Sequence, residues 1–176
     1  MVGDDTFTSL PSTIPDPNGS YDVVVAGWTL LFTSSLETTI KEIVRVLSPT
    51  GPARVVLVEG APDNEWVNLM NKALLAQSKT PVHHGILLEK ADGILKEAGL
   101  TRTSLTRRDC WLNFADLEEK DRVGKATEIL ASITSTGEDV AEKVRAVLVD
   151  KLTKQFGGRP DEIGFQEVVL IAEREA

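Results

Sequence analysis

The sequence predicts an α/β layered protein, and three observations predict it. Short apolar runs rich in β-branched residues alternate with longer stretches of helical periodicity. A strand, helix, strand unit is explicit over residues 21–59. Clusters of glycine and proline separate the elements. The order reads β-α-β-α-α-β-α-α-β, which suits helices layered on a sheet.

The first twenty residues are turn-rich, with Leu10-Pro11, Pro15-Asp16-Pro17 and Asn18-Gly19-Ser20. Residues 21–27 follow as a nearly continuous β-branched run, the pattern of a parallel strand covered on both faces. Ser34 or Ser35 can cap the next helix, whose stripe is Leu36, Ile40, Ile43, Val44 and Leu47. Ser48-Pro49-Thr50-Gly51-Pro52 stops it, and residues 54–59 form a second buried-type strand. The crossover between them implies adjacent or near-adjacent parallel strands.

Residues 64–77 then read as a helix with Asp63 as its cap, and 78–85 as a loop holding His83-His84. A helix over 87–98 ends at Gly99. Residues 101–106 are a candidate strand, and 111–114 a short strand or a loop. Helices over 116–133 and 138–156 flank Ser135-Thr136-Gly137. Gly157-Gly158-Arg159-Pro160 breaks the second, and residues 165–172 form a terminal strand. No repeat or linker interrupts the chain, so 1–176 is expected to be a single domain.

Composition bounds the function. The chain has 176 residues, 41% hydrophobic and 26% charged, close to the globular average. A chain of this size buries about 70% of its unfolded surface and needs no staples. Its net charge of −8 makes nucleic acid and anionic membranes poor partners. No run is long enough to span a bilayer. One cysteine, Cys110, excludes an intrachain disulfide, and with two histidines a structural zinc site is not expected. The N-terminus has no basic segment followed by an apolar one, so no signal peptide is expected and the setting is expected to be cytoplasmic.

The motifs in order carry a family resemblance. Leu10-Pro11 precedes Pro17-Asn18-Gly19-Ser20-Tyr21-Asp22-Val23-Val24. Then come Glu42-Ile43-Val44-Arg45-Val46-Leu47-Ser48-Pro49-Thr50-Gly51 and the strand over 55–59. Together they resemble the second half of a class I S-adenosylmethionine-dependent methyltransferase, with Thr50-Gly51 in place of the usual Gly-Gly. The stretch from Glu59 to Leu88 also looks like fungal members tied to small-molecule (secondary) metabolism. Turns alone explain each glycine and proline, but not their joint order.

The resemblance implies a Rossmann-like methyltransferase sheet, N-terminally truncated, with a helical insertion and a C-terminal strand. It implies S-adenosyl-L-methionine as cofactor and a small-molecule acceptor. The family's Gly-rich turn lets backbone approach the cofactor closely. The chain has no Gly-x-Gly-x-Gly, and its start corresponds to the loop after the family's third strand. Half of the crevice would then be absent and a sheet edge left uncovered, open to homo- or hetero-oligomeric pairing.

Site residues carry over position by position. Asp4 or Asp5 matches the acid that accepts the adenine amino group, or is an exposed loop carboxylate. Ala26, Gly27 and Trp28 end the first strand where the family lines its crevice; Trp28 walls the site or packs in the core. Glu59 faces substrate or is a solvated strand-end carboxylate. His83 is a candidate substrate contact and His84 a candidate catalytic base, since imidazole titrates near neutrality; both are otherwise polar loop residues. Cys110 beside Arg107-Arg108 is a reactive or an inert thiol. The acidic run 116–121 is a solvated helix start. The functional expectation is methyl transfer to a small molecule, and the alternative a non-catalytic truncated relative.

Overall fold

A computed structural model describes residues 13–30, 33–75, 84–133, 138–156 and 162–174. The elements are β1 (Val23–Gly27), α1 (Leu36–Val46), β2 (Ala53–Gly60), α2 (Glu65–Leu75), α3 (His84–Glu97) and β3 (Thr101–Arg108). After these come β4 (Trp111–Asn113), α4 (Glu119–Ile133), α5 (Glu138–Phe156), β5 (Glu162–Gly164) and β6 (Glu167–Arg174). They group into two compact units.

The first unit holds β1, α1, β2, α3, β3 and β6. Its sheet has the order β1-β2-β6-β3. β1 and β2 are parallel, with Val23 opposite Arg54 and Gly27 opposite Val58, as the crossover requires. The terminal strand β6 inserts antiparallel between β2 and β3. Ala26, Val55, Leu57, Leu170 and Ala172 form a core with Ile40, Ile43 and Leu47 of the α1 segment and Leu88, Ala91 and Leu95 of α3.

Local chemistry explains the motif residues. Ser35 caps α1, its side chain accepting the Thr38 N–H. Arg45, near the end of α1, donates to the carbonyls of Ile14 (2.8 Å) and Asp16 (2.9 Å), to Asn18 Oδ1 (2.8 Å) and to Glu42. Glu42 in turn accepts the Ile14 N–H. One ion pair thus pins the loop that leads into β1. Gly19 has φ +69 and lies against Pro49, where a side chain has no room. Tyr21 bridges to Leu47, giving N–H to Val46 O and accepting from Ser48 N. At the end of α3, Gly99 (φ +80) donates to Lys96 O and Leu100 to Leu95 O, a Schellman closure.

One strand expectation is corrected. β1 is not covered on both faces: Val23 is 51% and Val25 66% exposed. Among the described residues its only strand partner is β2, so it forms an edge of the sheet.

The second unit holds α2, α4, α5 and the ribbon β4-β5. Trp66 packs on Phe165 and Phe114 on Phe156, with ring centroids 5.0 and 5.8 Å apart. Ala126, Leu130, Leu148, Leu152 and Ile163 are buried. The cap of α2 is Asn64 rather than Asp63: Asn64 Oδ1 accepts the Val67 N–H at 2.8 Å. Its amide also donates to Gln166 O, which decides between the two neighbours. Helix α4 starts three residues later than the pattern predicts, because Leu117 N closes a turn on Phe114 O. Strand β5 was not predicted; it is three residues long.

Candidate functional site

Parallel strands in an open α/β sheet place their ligand crevice at their carboxyl ends. Here that end carries Gly27 of β1 and Gly60 of β2. The antiparallel β6 begins there with Glu167, which lies opposite both Gly60 and Arg108. This end of the sheet unit is the candidate site.

Trp28 leaves β1 at this end. Its backbone N–H donates to Val58 O at 2.8 Å, adding one more rung to the ladder. Its φ is then +54, and it has the only positive φ of any non-glycine among the described residues. A bulky residue in the left-handed region is an outlier that surrounding contacts must hold. Two carboxylates supply them. Trp28 Nε1 donates to Glu167 Oε1 at 2.7 Å, and Leu30 N donates to Glu59 Oε1 at 2.9 Å. Leu30 O in turn accepts from the Thr33 hydroxyl at 2.9 Å. Strands lie about 4.8 Å apart, so reaching β6 from β1 carries the Trp28–Glu167 contact across the end of β2. The half-buried Trp28 side chain therefore lies across the carboxyl end of β2.

The predicted site residues fare differently. Gly27 is exposed, with open space where a side chain would stand. Ala26 turns its methyl into the core, so only its backbone is near the crevice. Glu59 is not a solvated strand-end carboxylate: it is fully buried, because its side chain turns in to meet the Leu30 amide. His84 is the first residue of α3. Asp4, Asp5 and His83 lie outside the described residues. Cys110 is a half-buried free thiol whose carbonyl accepts the Phe165 N–H. Glu167 and the Leu30 amide were missed. Their only signal is position, since Glu167 opens the last strand.

A cofactor of the S-adenosylmethionine type would meet Gly27 and Trp28 here. These residues suit one wall of such a site, since open space stands where a side chain at position 27 would be. They do not make the whole cradle: among the described residues no glycine-rich turn stands beside β1. Among the described residues no three His, Cys, Asp or Glu side chains gather as a metal site, and no helix is long and apolar enough to cross a membrane. At the opposite end of the sheet, Asp22, Val23, Pro52, Ala53, Arg54, Glu173 and Arg174 line an open cleft of about 400 Å³. Its arginines are engaged: Arg54 pairs with Glu173 at 2.5 Å, and Arg174 donates to Ser48 O and Ala98 O.

Comparison with known proteins agrees with this fold. Residues 6–55, which hold the loop, β1, α1 and the start of β2, match the family described as a methyltransferase domain. The YcgJ protein of Bacillus subtilis is similar in structure, with a TM-score of 0.55 and 16% identity. That match covers 94% of this chain and 68% of the other. A proposed methyltransferase of Bacillus halodurans gives a TM-score of 0.53 at 14% identity, covering 94% of this chain and 75% of that one. No curated protein sequence matches the chain. The fold is Rossmann-like, and residues 6–55 are similar to a methyltransferase domain.

Proposed function

We propose that the chain serves S-adenosylmethionine-dependent methyl transfer to a small-molecule acceptor, of the kind found in secondary metabolism, in a cytoplasmic setting. The observation that carries this is the left-handed Trp28, held at the carboxyl end of β1 next to the exposed Gly27. The family match over residues 6–55 supports it. Gly27 and Trp28 are the cofactor wall, with Ala26 contributing backbone alone. Asp4 or Asp5 takes the adenine amino group. His83 and Glu59 belong to the acceptor side, Glu59 by shaping the loop, and His84 is the candidate base. Transfer of this kind rests on placing the acceptor in line with the methyl group, which requires orientation more than a dedicated acid or base. Isothermal titration of the purified chain with S-adenosylhomocysteine tests the reading. Saturable heat is expected, and none at millimolar ligand overturns it for this chain alone.

A second reading rests on the contrast between the two sheet edges. Asp22 O and Trp28 N both bond to β2, so the alternate residues Val23 and Val25 turn their backbone N–H and C=O groups outward. That edge carries no charged side chain from Val23 to Gly27. The β3 edge instead displays Arg102, Arg107 and Arg108, a pattern that discourages pairing. The occupant we favour is a second copy, with two β1 strands antiparallel about a two-fold axis through Val25. No like charges then face each other along the strand, despite the chain's net charge of −8. A sedimentation series should show mass rising with concentration, and a strict monomer overturns this reading.

A further inference from the structure

We infer that Glu167 is a positioning residue for the crevice, acting through Trp28. Its ligand side rests on the methyltransferase-like reading; its structural side does not. The two residues are 139 positions apart and meet through one hydrogen bond of 2.7 Å, indole Nε1–H to carboxylate Oε1. The backbone at Trp28 is strained. Its φ of +54 is unfavourable for a residue with a bulky side chain. Relaxing φ to the extended or right-handed region would swing the indole away from the end of β2. Glu167 resists that swing from β6, a strand paired on both sides by β2 and β3. Such a strand barely moves, so it is a firm anchor. Glu59 acts on the other end of the same turn by fixing Leu30. The turn after β1 is thereby braced from the ends of two different strands.

The consequence is a preset aromatic wall. A ligand that stacks on or packs against the indole need not order it on binding, which lowers the entropic cost of association. Removing Glu167 should leave the sheet intact, because its backbone pairing does not depend on the side chain. It should leave the indole N–H without its carboxylate acceptor.

The test uses the full chain and the indole N–H resonances of Trp28, Trp66 and Trp111, assigned by single Trp→Phe variants. In Glu167→Ala, hydrogen exchange of the Trp28 indole should quicken about tenfold or more, the factor expected for losing a hydrogen bond to a charged acceptor. Trp66 and Trp111 should be unchanged. Glu167→Gln keeps an acceptor oxygen and should restore most of the protection, which a merely structural defect would not show. Affinity for S-adenosylhomocysteine should fall about tenfold in Glu167→Ala and in Trp28→Phe, and much less in Glu167→Gln. An unchanged Trp28 exchange rate in Glu167→Ala overturns the inference. So does a freed indole with undiminished affinity. If the unaltered chain binds no S-adenosylhomocysteine while Trp28 responds as described, the methyltransferase reading falls and the bracing stands. Should Glu167→Ala not fold, the Gln and Trp28→Phe variants carry the comparison.

Discussion

Gly19 and Pro49 touch so closely that a β-carbon at position 19 would lie 2.9 Å from the proline Cδ. Gly19 also has φ +69, and its N–H donates to Arg45 O at 3.0 Å. Two separate reasons therefore require glycine here. Gly19→Ala should cost about 2–3 kcal/mol, left-handed strain of about 1 kcal/mol plus the displacement of a ring. Gly51 is the control. Its φ is +82, but open space surrounds it, so Gly51→Ala should cost only about 1 kcal/mol. Urea unfolding midpoints measure both, and equal losses would remove Pro49 from the explanation.

Arg45 ties three loop positions to α1 through a planar fork, and a single ammonium does not reproduce that fan of bonds. Arg45→Lys should therefore lower the unfolding midpoint nearly as much as Arg45→Met. Glu42 reports the same interaction through pH. Its hydrogen bonds from Arg45, with a further one from the Ile14 N–H, hold its carboxyl below the ordinary glutamate value. A carboxylate with a lowered folded pKa adds stability that is complete above the unfolded value, about 4.3, and drains away as pH falls through the folded one. The parent should lose stability over that acid range. Arg45→Met should show a shallower decline, since its Glu42 has less to lose. Parallel pH profiles would contradict this.

What was legible in the sequence was local. The stripe Leu36, Ile40, Ile43 and Val44 predicts α1, and Ser34 or Ser35 its cap, of which the structure uses Ser35, because these features lie within a few residues of one another. Gly99 ends α3 for a reason visible at one position. The order of the motifs placed the loop, β1 and α1 in one unit, and Arg45 now supplies the physical link among them. What was not legible depended on strand order. Trp28 meets Glu167 only because β6 inserts beside β2, and nothing near either residue signals that insertion. Glu59 was misjudged for the same reason. A carboxylate at a strand end is usually wet, and only the fold of the turn after β1 turns it inward. Asn64 and Asp63 are both good caps, and the choice between them rested on Gln166, about a hundred residues away.

Glu59 is 0% exposed and accepts the N–H of Leu30, itself buried. Glu59→Ala leaves that amide without its carboxylate in a dry setting and opens a small void. A loss of about 2–4 kcal/mol follows. Glu59→Gln retains an acceptor oxygen at the same reach and should lose less. Amide exchange at Leu30 should quicken in the alanine variant well before exchange in β2, because the turn opens more easily than the sheet. If Leu30 and the β2 amides quicken together, Glu59 supports the whole sheet unit rather than the turn.

The edges of the sheet give the last prediction. Val25 is 66% exposed on β1, and Leu105 is 53% exposed on β3. Both are apolar and near the middle of an edge strand, yet only the β1 edge lacks charged neighbours along its length. If β1 pairs with itself, Val25→Lys sets two ammonium groups against each other across the two-fold axis and should abolish self-association. Leu105→Lys adds the same charge to the other edge and should leave it intact. Each variant takes the net charge from −8 to about −7 and so slightly weakens general repulsion, an effect that would favour association in both alike. Sedimentation equilibrium distinguishes the cases. Loss of association in Val25→Lys alone points to the β1 edge, and loss in both variants, or in neither, overturns that pairing.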